Sequence, residues 1–276
     1  MIKIAVTIRN RLAITKMCVA AIKKHSKIPH QLYLYNNSSN HLLKEHFEYA
    51  YNLYKQGLVT QITFNTDAST YKAFSKASAL NAFGLAHEQD PAKDSYHYLV
   101  FLDNDVIVVP GWDQVFYEGW KFVNSKKLRD IKVIGQLPGG IKQRKNIKSK
   151  IAGNTAALGK LGGSGLWTVR PNFFRDVGYL DIKQLVGHNK RHDQMYWALM
   201  NRKTNGKEYI LGIRKKLAYH CGPFAGSVCN ILTRQKDNKK SMEAIKFKKN
   251  EEVIQRMSFD EFYKKVTTDP KVQRGW

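Results

Sequence analysis

Leu99-Val100-Phe101-Leu102-Asp103-Asn104-Asp105 is an apolar run that ends in two acids one residue apart. Side chains of an extended strand alternate, so Asp103 and Asp105 share one face at its end. Carboxylates this close repel each other unless a cation lies between them. A hard divalent ion, Mn2+ or Mg2+, is the ion that bridges carboxylates to a phosphate-bearing ligand. A solvated Asx turn at a strand end is the plainer alternative.

Upstream of this stretch, strand and helix patterns alternate. Ile2–Ile8 reads as a strand, Leu12–His25 as a helix, 31–35 as a strand and 41–56 as a helix stopped by Gly57. Residues 59–64 read as a third strand, 70–86 as a third helix and 98–102 as the fourth strand. Such alternation implies an α/β fold, a mixed but mostly parallel sheet flanked by helices. Ligands of these sheets sit beyond the carboxyl ends of the strands, and the polar turns at 9–11, 36–40 and 103–105 fall on that edge.

Downstream the pattern is less regular. Residues 131–135 and 165–169 read as strands, 171–177 and 192–201 as helices, and 210–213 and 216–219 as a strand pair or two short strands. Five basic residues and no acid lie between 141 and 150, which reads as a mobile surface loop. The segment from 233 onward reads as mainly helical, with seven basic and two acidic residues between 233 and 249. The expected organisation is one domain over 1–232 with a basic helical extension, 233–276, packed on it.

Composition excludes several classes. The chain has 276 residues, 46 Lys plus Arg against 22 Asp plus Glu, and a formal net charge of +24. An apolar fraction of 43% supports a packed core, and 12% aromatic content argues against global disorder. No apolar run approaches the roughly 20 residues that cross a bilayer, so no membrane span is expected. The first residues lack a signal-peptide pattern. Cys18, Cys221 and Cys229 form no CxxC pair and leave an odd thiol, which suits a reducing, cytoplasmic compartment.

Several segments around the acidic pair occur in a familiar order: Ile2–Ile8 followed by Arg9-Asn10-Arg11; the strand into Asn36-Asn37-Ser38-Ser39; Ser75-Lys76-Ala77-Ser78-Ala79-Leu80-Asn81; Asp103-Asn104-Asp105; Val177-Gly178-Tyr179-Leu180-Asp181; His192-Asp193; and Tyr219-His220-Cys221-Gly222. In this order they resemble the nucleotide-diphospho-sugar glycosyltransferases of the GT-A (Rossmann-like) fold, in particular the family-2 group. The resemblance covers roughly residues 2 to 222.

The resemblance implies a role for each position. Asp103 and Asp105 would hold the metal, with His220 completing the set, and Asp103 would also reach the nucleotide ribose. An imidazole ligand leans the choice toward Mn2+. Asp193 is the candidate general base of an inverting transfer, taking the proton of the acceptor hydroxyl, with Asp181 as runner-up. The family commonly has Glu-Asp where this chain has His192-Asp193. A helix-opening acid with no catalytic part is the alternative for Asp193. Ile8, Arg9, Asn10, Asn36, Lys76, Asp103 and Asn104 would line the nucleotide-sugar donor. Asn36 stands where an Asp is usual and Arg9 where a small or aromatic residue is common, so UDP is expected with other nucleotides open.

Trp167, after the glycines at 162, 163 and 165, is a candidate for stacking on the acceptor, with plain core packing as its alternative. Lys142, Arg144 and Lys145 are candidates for binding a polyanionic acceptor. A charge of +24 exceeds what donor binding requires and favours such an acceptor. The first expectation is a hydroxymethylated pyrimidine in DNA, as in bacteriophages. A peripheral transferase building cell-surface or teichoic-type polymers and a non-catalytic nucleic-acid-binding module are the alternatives.

Overall fold

The structure is a computed structural model. It describes residues 1–8, 11–36, 43–64, 72–137, 142–160, 165–181, 199–221 and 252–268, without the side chains of 43, 72–76, 142–144 and 160.

In chain order the elements are β1 (Ile2–Ile8), α1 (Leu12–His25), β2 (His30–Asn36), α2 (Leu43–Lys55), β3 (Gln61–Phe64), α3 (Lys72–Glu88), β4 (Leu99–Asp103), β5 (Val106–Val108) and α4 (Trp112–Ser125). Then come β6 (Val133–Leu137), β7 (Lys142–Ile151), β8 (Asn154–Lys160), β9 (Leu166–Val169), α5 (Phe173–Val177), β10 (Ile210–Arg214), β11 (Ala218–His220) and α6 (Phe259–Thr268). Nine strands form one sheet in the order β3-β2-β1-β4-β9-β6-β10-β8-β7. The run from β3 to β4 is parallel throughout. β9 runs antiparallel to both β4 and β6, and β10 pairs parallel with β6 and antiparallel with β8. The sheet is therefore the expected mixed α/β sheet flanked by helices.

The chain divides into two compact units. The first comprises Met1–Asn10, Lys27–Asp103 and Asp113–Lys215 and contains the nine-stranded sheet. β1 is buried along its whole length, so it reads as a continuous apolar run rather than an alternating one, as a central strand covered on both faces must. A core of Phe83 from α3, Phe101 from β4, Trp167 from β9 and Phe173 and Phe174 from α5 fills one side of the sheet. Gly84 permits this packing. A Cβ there would come within 2.6 Å of the Phe174 ring, so a larger residue on α3 would push α5 away.

At the amino-terminal end of the parallel strands lies a buried polar group. Lys3 is 1% exposed and its Nζ lies 2.5 Å from Asp90 Oδ2 and 4.5 Å from the Tyr96 ring centre. The Tyr96 hydroxyl sits 3.0 Å from Asp90 Oδ2 and 2.8 Å from Gln31 Oε1. Burial and the adjacent Asp90 charge push the Tyr33 hydroxyl up to about 12. Burial alone would raise Asp90, but hydrogen bonds from Lys3, the Ala92 N–H and Tyr96 outweigh it and hold the carboxyl below its ordinary range.

The second unit comprises Arg11–Ser26, Asn104–Trp112 and Lys216–Trp276. Within it β5 and β11 form a two-stranded antiparallel ribbon. At the end of α1, the His25 Nδ1–H donates to the Val108 carbonyl (2.8 Å), and the ring lies 4.6 Å from that of Tyr263 on α6. Lys24 pairs with Asp260 at 2.5 Å.

The stretch expected as a surface loop between 141 and 150 is instead strand β7, paired antiparallel with β8. Its turn is Ala152-Gly153, with φ of +47° and +77°, a two-residue connection of the kind that closes hairpins. β7 lies at the sheet edge and exposes Lys145, Lys148 and Lys150, so it lacks the apolar alternation by which strands are recognised. The 210–213 and 216–219 segments do not pair with each other. β10 joins the large sheet and β11 joins β5, a strand that the sequence pattern did not separate from the apolar run before it. The 192–201 helix is described only from 199, and the basic segment 233–249 lies outside the described residues. Among the described residues no helix is long and apolar enough to cross a membrane.

Candidate metal and donor site

Parallel strands end with their carbonyls at one edge, and register decides which side chains meet there. Thr7 of β1 pairs with both Tyr35 of β2 and Asp103 of β4, and Ile8 pairs with Asn36. The Thr7 hydroxyl donates to Asp103 Oδ1 at 3.2 Å, and the Asp103 N–H donates to the Gly165 carbonyl at 2.8 Å. Asp103 is thus the last residue of a strand whose apolar body is buried. Ile8 and Asn36 meet at the same edge and are each about 1% exposed.

In the second unit the turn that follows is fastened by hydrogen bonds. The Asn104 amide donates to Thr15 Oγ1 at 2.7 Å, the Cys221 N–H donates to the Asp105 carbonyl at 2.6 Å, and the Arg11 guanidinium donates to Asp105 Oδ2 from Nη1 at 2.7 Å and Nη2 at 3.1 Å. The second carboxyl oxygen of Asp105, Oδ1, lies 3.3 Å from His220 Nε2. Asp105 is only 7% exposed, which makes a charged partner essential to it. β11 supplies His220 because its antiparallel register sets His220 opposite Val106, one residue past Asp105.

The structure brings Asp105 and His220 together, with Asp103 two residues earlier on the chain. Two other candidates are buried. Trp167 is 4% exposed, its ring lies 4.6 Å from that of Phe101, and its strand pairs directly with β4. Asn104 is 6% exposed and its amide donates to Thr15 of α1. Lys145 is exposed on β7, where the backbones of Lys142 and Arg144 also lie. Lys76 lies on α3. The side chains of Lys76, Lys142 and Arg144, and the whole of Arg9, Asn10 and Asp193, lie outside the described residues. Asp181 is exposed and follows Leu180, whose N–H and carbonyl are both bound by the Asn81 side chain at 3.0 and 2.9 Å.

Sequence reasoning gave no role to Arg11, Thr7 or Thr15. Arg11 was legible as a basic residue directly after a strand on the ligand edge. The partnership of Thr15 with Asn104 had no signal in sequence, since it depends on how α1 lies beside the turn.

No protein-family model matches the sequence, and no curated protein matches it at a significant level. Among solved structures, the fold is similar to that of GalNAc-T7, crystallised with UDP, GalNAc and Mn2+, with a TM-score of 0.57 and 13% identity over 98% of this chain and 58% of that one. It is also similar to TarS from S. aureus, with a TM-score of 0.50 and 13% identity over 97% of this chain and 43% of that one. At such identity the likeness is one of fold. The chain has the GT-A fold, and it spans 58% and 43% of the length of these two structures.

Proposed function

We propose that this protein is a metal-dependent glycosyltransferase that moves a sugar from a UDP-linked donor to a hydroxyl on a polyanionic acceptor. The observation that carries this reading is the 3.3 Å approach of Asp105 Oδ1 to His220 Nε2 at the exit of a GT-A strand ending in D-N-D. The donor set fits a divalent ion. With bonds of about 2.1 Å, adjacent ligands of an octahedral ion stand about 3 Å apart, close to this separation. Asp103, two residues before Asp105, adds a second carboxylate, so the proposed ligands are Asp103, Asp105 and His220. Two carboxylates and one imidazole suit Mn2+ better than Mg2+. GalNAc-T7 was crystallised with that ion and UDP, which supports the same pairing for this chain.

When bound, such an ion offsets the negative charge that gathers on the diphosphate as it departs. The remaining steps fall to the chain. Asp193 takes the proton of the acceptor hydroxyl, whose oxygen forms a bond to the anomeric carbon as the bond to the diphosphate oxygen breaks. The electron pair leaves with UDP and the anomeric configuration inverts. Ile8, Arg9, Asn10, Asn36 and Lys76 line the nucleotide side. Lys142, Arg144 and Lys145 on β7 meet the acceptor, for which hydroxymethylated pyrimidine DNA is the reading that best uses the surplus charge.

The test is a panel of UDP-sugars incubated with the protein and Mn2+, with UDP release as the readout. Release should require the metal, stop on chelation and be lost in Asp105→Ala. Full release by that variant would end the metal assignment. Adding hydroxymethylcytosine-containing DNA should then give nucleosides heavier by one sugar, and no mass shift on that DNA would remove it as the acceptor.

A further inference from the structure

The Arg11–Asp105 pair is built from a position that resists being built. Arg11 directly precedes α1 with φ +64° and ψ +62°, a left-handed conformation that a residue with a Cβ adopts reluctantly. Its carbonyl is fixed by the first turn of α1, accepting from the Thr15 N–H at 3.1 Å and the Thr15 hydroxyl at 2.9 Å. The backbone is thereby locked, and the side chain reaches Asp105. Both terminal nitrogens converge on the same oxygen, Asp105 Oδ2. The pair is mostly shielded from water, with side chains 11% and 9% exposed. The other oxygen, Oδ1, is the one beside His220 Nε2.

We propose that Arg11 is a positioning residue for the metal, and this rests on the metal reading given above. By holding Oδ2, the guanidinium fixes the rotation of the Asp105 carboxylate so that Oδ1 and His220 Nε2 form the ligating edge. It also keeps Asp105 a one-oxygen ligand. Carboxylates that ligate metals are ordinarily oriented by such an outer hydrogen-bond partner, and removing the partner weakens metal binding by about 10- to 100-fold. The left-handed turn is then the cost of aiming the side chain, a form of strain commonly found at working sites.

The test uses Mn2+ alone, with the full chain. The amplitude of the free-ion electron paramagnetic resonance signal gives a dissociation constant for the wild type and for Arg11→Gln, Arg11→Lys, Asp105→Asn and His220→Ala. Thermal melting without metal is recorded for each. The expected result is Mn2+ binding by the wild type, its loss in Asp105→Asn and His220→Ala, and roughly tenfold weaker binding in Arg11→Gln. Arg11→Lys, which keeps the charge but not the fork, should fall between. Unchanged or tighter binding in both Arg11 variants overturns the inference and leaves the metal site standing: a lower melting temperature alone would make Arg11 a residue of the fold, and tighter binding would make it the ion's competitor. Absence of Mn2+ binding by the wild type overturns the metal reading and this inference with it.

Discussion

The two ends of the nine-stranded sheet solve opposite problems. From β3 to β4 the strands are parallel, and β1 and β4 are almost wholly apolar and covered. Their polar groups are confined to the strand ends, with Lys3 and Asp90 at one edge and Thr7 and Asp103 at the other. At the far end, β7 and β8 form an antiparallel hairpin whose residues 142–160 include six Lys and Arg and no acid. Lysines on an edge strand deter pairing with another chain, so this hairpin stays open to solvent without inviting a further strand. The parallel end holds its polar groups in hydrogen bonds and ion pairs, and the open end presents its charges on exposed side chains.

That division can be attacked from its most sensitive point outward. Asp105→Ala should lower Mn2+-dependent UDP-sugar turnover by about a thousandfold, equivalent to about 4 kcal/mol, as read by UDP release under saturating donor. Turnover within a few-fold of wild type would mean that Asp105 does not carry the chemistry. Trp167→Ala should cost about 4 kcal/mol of stability in urea unfolding, because it empties a core site between Phe101 and Phe173. Trp167→Phe should retain acceptor affinity, and a large loss of affinity with intact stability would return Trp167 to the acceptor.

Next comes Asp90→Asn. It strands Lys3, 1% exposed, without its counter-charge, and should cost about 3 kcal/mol. The sign of the pH dependence follows from the lowered Asp90 carboxyl. Its contribution is complete above the ordinary carboxylate pKa of about 4 and is lost as pH falls through the lowered folded value. Melting curves from pH 6 to pH 2 should therefore fall less steeply for Asp90→Asn than for wild type. Parallel curves would remove Asp90 from the acid response.

The smallest effect on stability belongs to the other end. Replacing Lys145, Lys148 and Lys150 together by Gln should shift stability by no more than about 0.5 kcal/mol, since all three are exposed. The same variant should flatten the dependence of log K for duplex DNA on log salt by about 0.9 for each lysine that meets a phosphate. Donor turnover should not change. An unaltered salt slope would show that the basic hairpin is surface charge only.

Much of the parallel end was legible because its signals are local. β1, α1, β2 and β4 carry apolar runs and helical spacing that depend on near neighbours, and their observed bounds fall within a residue or two of the expected ones. The D-N-D step was legible for the same reason. β7 was not: an edge strand needs no buried face, so its polar sequence carried no period, and its turn uses Ala152-Gly153 rather than an Asn-Gly signal. Asn104 and Trp167 were given roles by their place in a motif, yet their surroundings made one an anchor and the other core.

By itself, then, the sequence determined the class of sheet, the strand that ends in two acids and the excess of positive charge, all of which follow from composition and short-range periodicity. Only the tertiary structure decided which partners those acids have. Arg11 reaches Asp105 across 94 positions of sequence, and His220 arrives from a strand that pairs with β5 rather than with its neighbour β10. Such partnerships are fixed by strand register and by a left-handed turn before a helix. Neither can be read from spacing, because what sets them is where distant segments pack.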